Sequence, residues 1–202
     1  FDGPPEEATS RYFALQAGKI SESEPGMLPA LRQDPLIKRI QANDILTSAR
    51  ARQGGESVSI QAASFRNEKG LHDFTVKQSS AVVIDIVLQA KNSTDAAHVG
   101  VHLYDRMNNL VFAAGSPQLQ VCPPRMAAGE SIIVTIEITL SVQPGHYTFS
   151  LNCAEISAAS PNLGSLHDRH DGLGPIHVWQ EDGVMHPFYG IARLPMTIEF
   201  HH

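Results

Sequence analysis

Carboxylates, imidazoles and guanidinium groups recur along this chain at spacings that invite four kinds of chemistry. Asp85 and Glu137 stand at outward positions of two alternating apolar runs. A glycosidase needs two carboxyls roughly 5–10 Å apart across the scissile bond, and nothing in the spacing brings this pair together. They read as solvated side chains on a polar face. His98 and His102 offer imidazole nitrogens, but four residues of strand span ~13 Å, whereas zinc sits only ~2 Å from each ligand nitrogen. One ion cannot join them. The run His167-Asp168-Arg169-His170-Asp171 gathers N and O donors, and as a compact loop it is expected to hydrogen-bond within itself and to hold no metal. Ser-His-Asp hydrolysis would present its nucleophile on a Gly-x-Ser-x-Gly turn, and ATP binding would require Gly-x-x-x-x-Gly-Lys-Ser/Thr. Neither motif occurs: Gly18-Lys19 runs into Ile20, with no upstream glycine at the required spacing. The expectation is a non-enzymatic chain that uses no cofactor.

Sugar recognition suits the side chains better, because it asks for aromatic faces against C–H-rich ring surfaces and planar polar groups around them. His102 and Tyr104 have the opposite parity to Val101 and Leu103. Asn152 lies opposite Leu151 and Cys153, and His177 and Trp179 lie opposite Ile176 and Val178. Sharing one sheet, these positions give a face with two aromatics, two histidines and an amide. Arg106 and Arg169 add a grip for a glycan capped by carboxylate or phosphate. Trp179 is the single tryptophan. Leu173 shares its parity, so its place on that face requires Gly174-Pro175 to interrupt the strand before Ile176. The same aromatics would also serve as hot spots of a protein-docking face, and an interaction module without glycan binding is the rival reading.

The elements that must position these residues follow from periodicity. The stretch 98–116 reads as a hairpin: Val99, Val101 and Leu103 alternate with Gly100, His102 and Tyr104, residues 105–109 supply turn formers, and an apolar run restarts at Leu110. Alternation recurs in Val58, Ile60 and Ala62, in Val82, Ile84, Ile86 and Leu88, in Ile132 to Leu140, and in Tyr147, Phe149, Leu151 and Cys153. Further strands are expected at 176–179 and 196–200. Short strands punctuated by turn residues predict an antiparallel β-sandwich, immunoglobulin-like or jelly-roll, with an N-terminal helical extension. Within that extension a first short helix carries Ala8, Tyr12 and Leu15 on one face, a linker follows over 18–29, and a second helix spans 34–52. Asp34 is its cap, Pro35 its first residue, and Leu36, Ile37, Ile40, Ile45 and Leu46 its apolar stripe. This front end, through Gly55, is expected to add little to the stability of the sandwich.

Composition bounds the partners. Of 202 residues, 42% are hydrophobic and 18% charged, which supports a packed core and argues against disorder. A formal net charge of −6 lacks the basic footprint of a nucleic-acid binder. No apolar run approaches the ~20 residues of a membrane span, and the first residues do not resemble a signal peptide. Cys122 and Cys153 fit a reducing compartment and are expected to stay unbridged.

A family resemblance rests on particular residues. The runs Val99-Gly100-Val101-His102-Leu103-Tyr104-Asp105-Arg106, Asn109-Leu110-Val111-Phe112 and Pro144-Gly145-His146-Tyr147-Thr148-Phe149-Ser150-Leu151 carry it, with Leu166-His167-Asp168 and the strand at 176–179. Together they resemble the C-terminal carbohydrate-binding domain of Wzt-type ATPases from O-antigen polysaccharide ABC transporters. The head, from Phe1-Asp2-Gly3-Pro4-Pro5 to Tyr12, is similar to the closing segment of an ABC nucleotide-binding domain. The implied organisation is a nucleotide-binding tail over 1–16, a linker with helix over 17–55, the carbohydrate-binding sandwich over 56–200, and a tag remnant at 201–202. The resemblance implies that the domain binds a finished O-antigen polysaccharide in the cytoplasm, at the inner membrane. The ATPase chemistry then lies upstream, and the transporter permease and the chain's own nucleotide-binding domain are partners. It also implies a homodimer, with the strand near 194–200 exchanged into the partner's sheet. The irregular connector over 180–193, with Pro187 and Gly190, would act as the hinge.

Overall fold

The computed structural model describes residues 34–157 and 160–200, with 157 and 160–163 described by backbone alone. Helix α1 is Pro35–Ala42. The strands are β1 Ala51–Gly54, β2 Val58–Arg66, β3 Thr75–Lys77, β4 Ala81–Ala90, β5 His98–Tyr104, β6 Leu110–Gly115, β7 Ser131–Thr139, β8 Gly145–Ser157 and β9 Ser160–Trp179. One sheet has the order β1-β9-β8-β5-β6, and β3 lies parallel to the C-terminal part of β9. The other has the order β2-β4-β7. The remaining pairings are antiparallel, so the expected antiparallel sandwich is the fold.

The core lies between the sheets, where alternate residues of each strand meet. Val99, Val101 and Leu103 of β5 and Phe149, Leu151 and Cys153 of β8 face Ile60 and Phe65 of β2 and Ile84, Ile86 and Leu88 of β4 in one buried cluster. Phe65 and Phe149 join the layers with ring centroids 6.1 Å apart. Cys153 is buried there, and burial pushes its thiol up to about 12, which keeps it an unreactive packing group. Cys122 is exposed and unpaired.

Strict alternation misplaces one residue of β2. A register shift between Ile60 and Ala62 turns the strand by one position. Ala63 and Phe65 then continue the core face, while Ala62 joins Ile37, Ile40 and Val87 in a second buried cluster under α1.

The helix expected over 34–52 is corrected to Pro35–Ala42. Its start is as expected: the Asp34 side chain accepts from the Leu36 backbone N–H at 2.8 Å, with Pro35 in the first turn. It stops early because the sheet takes over the backbone. Ile45 N–H donates to the Ala63 carbonyl at 2.8 Å, and the Asp44 carboxylate accepts from both Leu46 and Ala63. A single 3-10 turn, Leu46–Ser48, leads into β1, which pairs with β9. Gly54 closes that strand at φ 89°, where a Cβ would run into the His167 carbonyl oxygen, so only glycine fits. The expectation that the front end adds little to the sandwich therefore fails for residues 35–54. The proposed nucleotide-binding tail over 1–16 and the residues 201–202 lie outside the described residues.

Two further expectations are overturned. The run 167–171 is strand, within β9, and not a loop. Asp85 is not solvated: it is 3% exposed, ion-paired with Arg66 at 2.8 Å and bonded by Thr135 at 2.7 Å. Its neighbours on β2 and β7 cover it even though it faces away from the core. At the C-terminal end, Ala192 bridges to Val142, and no strand forms beyond Trp179 among the described residues, although one was expected at 196–200.

Candidate functional site

The hairpin of β5 and β6 forms as its sequence requires. Asp105 Oδ1 accepts from Met107 and Asn109 backbone N–H groups at 2.8 Å, closing the turn, and β6 returns along β5. β5 is then central, flanked by β6 and β8. In antiparallel ladders directly opposed residues point to the same side. Gly100 faces Asn152, His102 faces Ser150, and Asn152 in turn faces Arg169 of β9. Strand pairing alone thus collects His102, Tyr104, Asn152 and Arg169 on the outer face of the larger sheet; parity gave the first three, while Arg169 was expected in a loop.

These side chains are bonded into a row. Asn152 Nδ2 lies 3.1 Å from His102 Nε2, and His102 Nδ1 lies 3.3 Å from Tyr104 Oη. Arg169 Nη2 donates to Tyr104 Oη at 3.1 Å, and Arg169 Nε donates to Asp171 Oδ1 at 2.8 Å. Ser150 Oγ donates to the same Asp171 oxygen at 2.6 Å. Burial, then the positive charge of Arg169, holds His102 below the usual imidazole range, with Asp171 acting the other way. His102 is therefore neutral at physiological pH, with Nδ1 as its proton donor and Nε2 as acceptor from Asn152. Tyr104 Oη accepts from both sides.

Beside this row lies a depression of about 170 Å³, whose lining includes His98, Gly100, His102, Gly115, Gln118 and Asn152. A Cβ on Gly100 would stand 2.9 Å from Asn152 Oδ1, so glycine there keeps the floor low and the amide oxygen accessible. His98 is fixed by a 2.9 Å contact from Nδ1 to Ser116 Oγ. Planar hydrogen-bonding groups around a low, small-residue floor can take the hydroxyls and one face of a sugar ring.

The other expected site residues lie elsewhere. His177 and Trp179 share the outer face, because the ladder slips between Tyr147 and Phe149 and so turns both Leu173 and Ile176 inward. The interruption at Gly174-Pro175 is where parity required it. They nevertheless stand at the far end of the face. Trp179 lies one residue beyond Val178, whose partner Gly145 is three residues, roughly 10 Å, along β8 from Thr148, the partner of Tyr104. Exposed His177 stacks on exposed His146 with centroids 4.8 Å apart, and half-buried Trp179 has the Lys77 ammonium 5.9 Å from its ring centroid. Arg106 is exposed in the hairpin turn, past the end of β5.

Sequence reasoning missed Asp171, Gln118 and the role of His98. Asp171 shares the parity of Arg169, a signal hidden while 167–171 was read as a loop. His98 shares the parity of His102 but was weighed only as a metal ligand. Gln118 follows β6 and carried no periodic signal. No cluster of three or more metal-ligating side chains occurs among the described residues. The inward members of the 167–171 run serve the core instead. Asp168 is fully buried, accepts from Arg52 at 2.9 and 3.2 Å and from the Ile60 backbone N–H at 2.7 Å, and so ties β9 to β2 across the layers.

Among solved structures, the chain is similar to the crystal structure of the C-terminal domain of wzt. That match has a TM-score of 0.65 at 11% identity over 79% of this chain and 96% of the other, a likeness of fold. A beta-glucosidase from Listeria innocua, solved in complex with gluconolactone, matches 60% of this chain and 15% of its own at 11% identity. Its TM-score of 0.32 is too low to carry an argument. No curated protein sequence matches the chain. The model of the Wzt C-terminal domain family matches residues 49–194, well over half of the chain and all of β2 to β9, and the chain belongs to that family.

Proposed function

We propose that this domain binds a finished O-antigen polysaccharide on the outer face of its larger sheet, without catalysis, for export by an ABC transporter. The observation that carries this is the bonded row of His102, Tyr104, Asn152 and Arg169 beside the depression. Polar groups held by one another lose little freedom when a ligand arrives, which is how a shallow protein surface gains affinity for hydroxyl-rich chains. Trp179 and His177 supply a second stacking surface further along the face, suited to an extended polymer and not to one ring. Arg106, in its exposed turn, is a peripheral contact.

Family membership supports the transporter context. A nucleotide-binding domain and a permease are then the partners, and the site of action is the cytoplasmic side of the inner membrane. No helix among the described residues is long and apolar enough to cross a membrane. The exchanged-strand dimer is supported by the C-terminal segment. Leu194, Met196, Ile198 and Phe200 are each at least two-thirds exposed and alternate as a strand would. β7 meanwhile pairs only with β4 among the described residues and leaves Ile132, Val134, Ile136 and Ile138 half-buried.

Titration of lipid-free O-antigen polysaccharide into the parent and Gly100→Ala, with unfolding measured on both, tests the proposal. The expected result is saturable binding by the parent and a loss of about tenfold or more in the variant, with stability within ~1 kcal/mol, because the added methyl, 2.9 Å from Asn152 Oδ1 and 3.2 Å from the Ala114 carbonyl oxygen, fills the floor and pushes the Asn152 amide out of the row. Unchanged binding by a folded variant moves the site off this depression. Absence of binding by the parent favours a protein-docking module.

A further inference from the structure

We propose that the depression beside His102 and Asn152 accepts an uncharged glycosyl residue, and that the domain selects against acidic sugars and phosphate- or carboxylate-capped ends there. This rests on the glycan-binding reading above and adds the class of sugar. No lining residue of the depression carries a formal carboxylate, ammonium or guanidinium group. Its polar groups are the Asn152 and Gln118 amides and the imidazoles of His98 and His102, a set that donates to and accepts from hydroxyls.

The one cation directly across the ladder from Asn152 is Arg169, and it is already engaged. Its Nε faces Asp171 Oδ1 at 2.8 Å, its Nη2 faces Tyr104 Oη at 3.1 Å, and the pair is largely covered, with side chains 24% and 19% exposed. An anion arriving there meets a neutral ion pair, and the Asp171 carboxylate repels it at short range in partly desolvated surroundings. Asp171 Oδ1 takes both donors, Arg169 Nε and Ser150 Oγ, while Oδ2 is buried without a hydrogen-bond partner. His102 adds no positive charge at physiological pH, being kept neutral by burial and by Arg169. Lys77 stands at the Trp179 end of the face, where it pairs with Glu181 at 3.5 Å. Arg106 stands past the C-terminal end of β5, towards that same end of the face, about four residues, or roughly 13 Å, from His102. The arginine grip expected for a charged cap is therefore not available at the depression.

The experiment uses the whole chain against immobilised neutral oligosaccharides, built of hexoses, deoxyhexoses and N-acetylhexosamines, and against counterparts bearing a uronate or a terminal phosphate. Binding is read at low and high salt for the parent and for Asp171→Asn, whose amide keeps the shape but removes the charge. The proposal expects neutral members to bind at least about tenfold more tightly than acidic ones with little salt dependence. It expects Asp171→Asn to narrow that gap by strengthening acidic ligands, as Arg169 becomes free to meet an anion. Preference of the parent for acidic members, weakened by salt, overturns the neutral-residue proposal and leaves glycan binding standing. Failure of the folded parent to bind any member overturns both. If Asp171→Asn unfolds, Asn152→Asp replaces it: a carboxylate at the rim should leave acidic members unbound, and improved acidic binding contradicts the proposal.

Discussion

At the scale of single residues, neighbouring positions of one strand divide the work of the molecule. Asp168 and His170 point inward and Arg169 and Asp171 outward, so the stretch expected to be a hydrogen-bonded loop instead holds the sheets together on one side and lines the outer face on the other. Asp168 carries the larger stability consequence. Burial pushes its carboxyl upward, but the neighbouring His170 ring and Arg52 outweigh that and hold it below its ordinary 3.8. A depressed carboxyl contributes stability that is complete above its unfolded pKa and lost as pH falls through its folded value. Chemical denaturation from neutral pH down through about pH 4 should therefore show an acid loss in the parent. Asp168→Ala is expected to cost roughly 3–5 kcal/mol at neutral pH, because it strands Arg52 and the Ile60 N–H, and to flatten the acid limb. An Asp168→Ala protein with parental stability and the same acid limb contradicts this role.

At the scale of elements, the strands were legible and their exceptions were not. Period-two runs mark β4, β5, β7 and β8 because each faces one core, and parity alone put His102, Tyr104 and Asn152 on one face. β1 and β3 are too short to show a period, and the first part of β9 is polar on both faces, so neither signalled a strand. The bulge in β2 and the end of α1 are set by tertiary hydrogen bonds to Ala63, which no local pattern records. That early end matters for stability. Ile37 and Ile40 are 1% and 0% exposed against Ala62 and Val87, and burying each is worth roughly 1.5–3 kcal/mol. Ile40→Ala should cost about 2–5 kcal/mol, and deletion through residue 53, which also removes β1, should lower Tm by more than about 8 °C. A deletion that melts with the parent would show that these residues are passengers.

At the scale of the whole molecule, the outer face of the larger sheet is proposed to meet a polymer, and the C-terminal segment, in which no strand forms among the described residues, to meet a second copy of the chain. Light scattering should give twice the chain mass, and Met196→Asp with Ile198→Asp should give the monomer. A parent that stays monomeric at high concentration contradicts strand exchange. Amide chemical shifts followed during titration with lipid-free O-antigen polysaccharide test the proposed binding face most directly. The largest changes are expected at Gly100, His102, Asn152 and Arg169, with smaller ones reaching His177 and Trp179. Changes confined to β7 or to the 184–200 segment, with the Gly100 and Asn152 amides unmoved at saturation, would contradict the account.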